Sequence, residues 1–117
     1  MNYFFPKNKY GNKKVVIDGI KFDSKKEAAR YGELRLMERA GLIKDICLQQ
    51  KFVLLKTFQD NFGKTHRAIS YIADFTYIEC VDGQKVAEDS KGFKTADFKM
   101  KEKLFCNAYP DYKLIIS

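Results

Sequence analysis

Asp74 sits inside the apolar run Tyr71-Ile-Ala-Asp-Phe-Thr-Tyr77, where an ionised carboxylate is unusual unless something compensates its lost hydration. Asp89 and Lys91 follow in Glu88-Asp-Ser-Lys91, spaced to share one face of an extended strand, a carboxylate beside an ammonium, while Glu88 and Ser90 take the other face. Between the two runs stands Val81-Asp82-Gly83-Gln84, a tight-turn signal. A simple register across that turn puts Asp74 and Asp89 on adjacent strands near the same level. Two carboxylates so placed repel each other, and a divalent cation relieves the repulsion. A cross-strand ion pair between acid and lysine accounts for the same residues without any chemistry.

Glu27 is the further acid. It opens a helix on the edge of an apolar stripe, four residues before Tyr31, and so can point toward a sheet. As the fourth residue of Ser24-Lys-Lys-Glu27 it can instead bond back to the Ser24 amide as a capping box, a role hard to combine with the first in one rotamer. The single histidine, His66, lies in the basic loop Lys64-Thr-His-Arg67, with no evident orienting partner, which favours a surface or phosphate-contacting role over that of a catalytic base. Lys64, Arg67, and Lys94 beside the start of a second helix are placed to line the phosphates of a duplex, as are Lys7, Lys9, Lys13 and Lys14 in an N-terminal arm spanning 1–14; an ordinary lysine-rich surface is the plainer reading. Phe93 is either a stacking residue or a core cap where the chain turns from strand to helix.

The elements that must hold these residues are legible in the pattern. Val15 to Phe22 is two short β-rich runs around Asp18-Gly19, a hairpin. Ser24 through Ala40 is a helix, capped by Ser24, with Ala28, Tyr31, Leu34 and Met37 along one stripe and Gly41 as its stop. Leu48–Leu55, Tyr71–Tyr77 and Lys85–Lys91 read as strands of an antiparallel meander, with a turn at Asp60-Asn-Phe-Gly63. Thr95 caps a second helix, with Phe98, Leu104, Phe105 and Ala108 on one side, that ends by Pro110. Tyr112–Ile116 is a closing strand able to join the sheet after that helix.

At 117 residues, with 45% hydrophobic and 15% aromatic content, the chain builds one core over 15–117 rather than two domains or a disordered tail. Its 22 Lys+Arg against 15 Asp+Glu leave +7, which favours a polyanionic partner, nucleic acid first. Cys47, Cys80 and Cys106 are odd in number and far apart, which excludes a disulfide framework or zinc knuckle and predicts reduced core fillers. No signal-peptide stretch or long apolar run is present, which points to the cytosol.

Asp74 in Tyr-Ile-Ala-Asp-Phe, Glu88-Asp89-Ser90-Lys91-Gly92 across a short hairpin, and Phe22-Asp-Ser-Lys-Lys-Glu27-Ala-Ala-Arg-Tyr31 before them together resemble the small phage-encoded, endonuclease-like members of the PD-(D/E)XK superfamily. The likeness spans roughly 9–117, with Ala73 where the eponymous proline would stand. It implies an α/β restriction-endonuclease-like αβββαβ core, a mixed sheet flanked by two helices, plus the N-terminal hairpin. It implies that Asp74, Asp89 and Glu27 form a site for Mg²⁺, with Mn²⁺ able to substitute and the Ser90 carbonyl as a further ligand. Lys91 would orient or activate the attacking water. The activity implied is hydrolysis of DNA phosphodiesters in phage recombination, replication or processing, in the bacterial cytoplasm, with a homodimer as one way to cut two strands. A non-catalytic nucleic-acid-binding accessory protein on the same fold is the alternative. The chemistry agrees with a hard cation: few carboxylates suit Mg²⁺ better than Ca²⁺, and with no second histidine and no cysteine pair zinc lacks ligands.

Overall fold

A computed structural model of the chain describes residues 15–90 and 94–117. β1 (Val15–Ile17) and β2 (Ile20–Phe22) form the expected hairpin, with Asp18 at φ 54° and Gly19 at φ 77° supplying the positive dihedrals that a two-residue turn matched to strand twist requires. α1 (Lys25–Arg39) follows, its N-cap Ser24 accepting the Glu27 amide at 3.1 Å. β3 (Ile43–Leu55) leads into a small projecting ribbon, β4 (Phe58–Gln59) and β5 (Thr65–His66), and returns as β6 (Ile69–Glu79). β7 (Lys85–Asp89), α2 (Ala96–Ala108) and β8 (Tyr112–Ile116) complete the chain.

The main sheet has the order β3-β6-β7-β8, antiparallel except for β8, which runs parallel to β7 because α2 carries the chain back to the same end. The two helices cover opposite faces. Ala28, Tyr31 and Leu34 of α1 pack with Phe75, Tyr77 and Val86; Phe98 and Phe105 of α2 pack with Phe52, Tyr71, Ala73 and Ala87. Phe52 is the hub of the second cluster, with the rings of Phe105, Tyr109 and Tyr112 edge-on at 4.9–5.1 Å.

Several expectations need correction. The first long strand begins at Ile43, not Leu48; the earlier part is masked in the sequence by Lys44 and Asp45, where a register shift between Lys44 and Cys47 and a left-handed Asp45 (φ 58°) interrupt alternation while Ile43 and Ile46 still reach the α1 core. The seventh strand stops at Asp89 rather than Lys91. The cysteines are free thiols, but all three are exposed, not core fillers: Cys47 lies on edge strand β3, Cys80 just past the end of β6, and Cys106 beside buried Phe105 on the outward side of α2. Ala108 is likewise exposed, and Tyr109 packs against the α2 cluster.

Candidate active site

Glu27 is built by the start of α1. With Ser24 as cap it occupies the first turn, just ahead of buried Ala28 and Tyr31, and is itself only 7% exposed. Its Oε1 accepts the amide of Asp23 at 3.3 Å, not that of Ser24, and its Oε2 accepts Gln49 Nε2 at 3.1 Å. The capping-box bond to Ser24 is thus not the one made: one carboxylate oxygen ties back to the residue ahead of the cap and the other faces the sheet.

Asp74 owes its position to a fault in the sheet. Tyr71 and Ala73 pack toward α2, whereas Phe75 and Tyr77 pack toward α1, although a regular strand would put all four on one face. On β3 the same change occurs between Leu48, toward α1, and Phe52, toward α2. Both strands thus switch phase at the level of Gln49 and Asp74, and Gln49 carries the switch in a left-handed backbone (φ 54°). The β6–β7 ladder ends at Phe75 opposite Glu88. One step further, where Asp74 and Asp89 would pair, Asp74 Oδ2 instead accepts the Ser90 amide at 2.9 Å, and Gln49 Nε2 comes within 3.5 Å of its Oδ1.

Glu27 and Asp74 thus meet across Gln49. Burial first, and then the neighbouring Asp74 carboxylate with which it shares a hydrogen bond, push the Glu27 carboxyl up to about 7.

Asp89, 4% exposed, lies one strand over, and its Oδ2 accepts the Tyr71 hydroxyl at 2.7 Å. Burial, then this bond, then the charges of Asp89, Asp74 and Glu102 raise the Tyr71 phenol, which stays a donor. Glu88, on the other face and 1% exposed, is taken by a separate network: Arg30 of α1 donates through Nε and, at 3.0 Å, through its terminal nitrogen, and Tyr77 Oη donates at 2.8 Å. The bond to Glu88 is the main reason the Arg30 guanidinium is raised, and burial followed by the same carboxylate raises Tyr77.

Of the predicted site residues, the fold brings Glu27 and Asp74 together, places Ser90 against Asp74 through its amide, and sets Asp89 at the same level on the next strand. Ser90 Oγ is buried and has no hydrogen-bond partner among the described residues. Lys91 and Phe93, and the arm lysines Lys7, Lys9, Lys13 and Lys14, lie outside the described residues. Lys94 pairs with Glu102 of α2 at 3.3 Å. Lys64 and Arg67 are exposed at the β4–β5 ribbon, away from the carboxylates along the chain. His66 does have a partner that the sequence did not reveal, Asp60 Oδ2 at 2.9 Å, in the tip of that ribbon. Sequence reasoning missed Gln49, Tyr71 and Arg30. Only Arg30, three residues past Glu27 on α1, carried a usable positional signal.

Among the described residues no three His, Cys, Asp or Glu side chains form a group able to hold a metal ion. A hard cation is nevertheless compatible with what is there: Mg²⁺ takes one or two carboxylates and keeps its waters, Glu27 and Asp74 supply two, and the unpartnered Oγ belongs to Ser90, the residue whose amide Asp74 accepts.

Fold and site together define an α/β protein, a mixed four-stranded sheet between two helices with the Glu27 and Asp74 carboxyls meeting at Gln49 where its central ladder opens. The chain belongs to the family described as "Protein of unknown function (DUF1064)", matched over residues 7–117. No curated protein and no solved structure matches it significantly. No helix among the described residues is long and apolar enough to cross a membrane.

Proposed function

We propose that this protein is a metal-dependent DNA endonuclease on a restriction-endonuclease-like core. The observation that carries the reading is the meeting of Glu27 from α1 with Asp74 from β6, level with Asp89 on the next strand, at the point where the β6–β7 ladder opens. The order α1, β3, β6, β7, α2, β8, with the last strand parallel, supports the reading of an αβββαβ core. A net charge of +7 suits a polyanionic substrate.

In this reading Asp74 and Glu27 hold Mg²⁺ or Mn²⁺, with Asp89 and the Ser90 carbonyl beside them; when bound, the cation supplies charge neutralisation at phosphorus and water of lowered pKa. The chain's own groups do the rest. Tyr71 keeps Asp89 oriented, Gln49 spaces Glu27 from Asp74, and Lys91, two residues beyond Asp89, orients the attacking water. Cutting both strands of a duplex takes two copies of this one-site domain, so a homodimer belongs to the proposal. A second reading, a DNA-binding accessory protein without turnover, draws support from the Tyr71 bond that already engages Asp89 and from the lack of a three-acid group among the described residues.

Incubation with branched, nicked and linear DNAs in Mg²⁺, Mn²⁺ or EDTA tests the two. Cleavage with either metal, absent in EDTA and lost in Asp74→Asn, Asp89→Asn and Lys91→Ala, is expected. Salt-sensitive binding with no cleavage of any substrate would replace the endonuclease by the accessory protein.

A further inference from the structure

The β4–β5 ribbon exposes two phenyl rings: Phe58, 45% exposed, is stacked on His66, and the other stands at the tip on a hydrogen-bonded mount. Phe62 at its tip is 97% exposed. The turn beneath it is closed from several directions: Asp60 Oδ1 accepts the amides of Phe62 and Lys64 at 2.8 and 3.0 Å, the Asp60 and Gly63 amides bond to Lys64 and Asp60 carbonyls, and Gly63 takes the left-handed φ of 84° that the turn needs. Asp60 Oδ2 also engages His66, whose ring stacks on Phe58 at 4.8 Å. The only acid in the ribbon is thus spent on its own backbone and histidine, while Lys64 and Arg67 remain exposed. These bonds serve the turn, whereas the Phe62 ring buries nothing and so is not explained by packing.

We propose that this ribbon is a nucleic-acid probe: Phe62 stacks on an unpaired or unstacked base, and Lys64 and Arg67 hold the phosphates on either side. Magnitudes favour this partner. A protein interface needs on the order of 1,000 Å² of buried surface, which one ring cannot anchor, and stable attachment to a lipid surface takes more than one weak apolar anchor. A base stack needs one aromatic face and nearby cations. The ribbon extends from β3 and β6, the strands that carry Gln49 and Asp74, and the chain from Gln49 to Phe62 spans at most ~43 Å at ~3.3 Å per residue. That is close to the ~35 Å of one duplex turn, so the probe reads DNA structure within about a turn of the carboxyl pair. The inference rests on DNA as the partner of that site and names the feature recognised: a gap, flap or junction rather than continuous duplex.

The test is fluorescence anisotropy in EDTA with labelled gapped and continuous duplexes, beside Mg²⁺ cleavage by the same proteins. Phe62→Ala should weaken gapped-duplex binding by about 5- to 150-fold, the loss of one stack, with its salt dependence unchanged. Lys64→Ala and Arg67→Ala should each lower the log–log salt slope by about 0.9. The chain has no tryptophan, so Phe62→Trp gives a single reporter, expected to be quenched by gapped DNA. Equal binding by Phe62→Ala with no quenching of the tryptophan overturns the probe and leaves the endonuclease reading to its own cleavage result. Weakened binding by Phe62→Ala in a protein that never cleaves supports the probe and overturns only the endonuclease. A tryptophan that responds to vesicles of phosphatidylserine and phosphatidylcholine but not to DNA overturns the probe in favour of a lipid surface.

Discussion

Glu27 faces two ways, its two oxygens answering to different neighbours, the Asp23 amide and the Gln49 side chain. Its pKa, pushed up from 4.5 to about 7, means that the folded protein binds more protons than the unfolded chain between those values. Without divalent metal, its contribution therefore makes stability fall as pH rises from about 4.5 to about 7, and Glu27→Gln should flatten that slope in chemical unfolding. For the same reason Mg²⁺ binding near pH 6.5 should release a proton, since a ligating carboxylate must be ionised. Calorimetry in buffers of different ionisation enthalpy measures the release, and an unchanged value in Glu27→Gln would take Glu27 out of the cation site. Glu88 makes the contrasting case. It is acidic and lies beside Asp89, yet Arg30 and Tyr77 commit it to the α1 face. Arg30→Ala leaves that carboxylate buried and short of its main partner and should cost about 3 kcal/mol; Tyr77→Phe should cost about 1–2 kcal/mol. Denaturant titration reads both, and cleavage per folded molecule should be unaffected by Tyr77→Phe. At this scale the acids were legible because a carboxylate in an apolar strand is conspicuous. Tyr71 was not, because a tyrosine in such a run looks like core, and only the fold reveals that its hydroxyl faces Asp89.

The elements were legible wherever period and punctuation agreed: the Asp18-Gly19 hairpin, α1 between Ser24 and Gly41, α2 after Thr95, and β8 beyond Pro110. They were illegible where the backbone departs from its own period. Asp45 and Gln49 both adopt left-handed conformations inside β3, and no rule of composition marks a glutamine for that role. Yet Gln49 is what lets β3 and β6 change face, so that one pair of strands serves two cores and delivers Asp74 to Glu27 between them. Substitution separates its two contributions. Gln49→Ala and Gln49→Gly both remove the amide that spaces the carboxyls, whereas only glycine relieves the left-handed backbone, worth about 1 kcal/mol. Gln49→Gly should therefore be the more stable of the two by about that amount, while both lose Mg²⁺ affinity alike. Equal stability of the two variants would show that the backbone at 49 is unstrained, and wild-type Mg²⁺ affinity in both would show that the amide does not position the site.

Across the whole molecule, function rests on charge that the fold does not consume. Acids of the core and ribbon are engaged by Arg30, His66, Tyr71 or backbone amides, while Lys64, Arg67 and most other lysines stay at the surface. The excess of +7 was plain from composition, and with it the expectation of a polyanionic partner; the sequence could not say which cations would cooperate, because that depends on which strands extend into the ribbon and which end at the sheet. Lys7, Lys9, Lys13 and Lys14 form a dense cluster of positive charge ahead of β1. If they contact phosphates, replacing all four by glutamine should reduce the dependence of DNA affinity on salt by up to about 0.9 per lost contact in the log–log slope. The loss should be equal for gapped and continuous duplex, because phosphate contacts carry no information about structure. The cleavage rate at saturating DNA should be retained, because a contact that only holds the backbone acts on affinity and is already made at saturation. Titrations at several salt concentrations decide the matter: an unchanged slope would mean that the segment binds no phosphate, and a selective loss on gapped duplex would mean that it takes part in recognising the break rather than in holding the backbone.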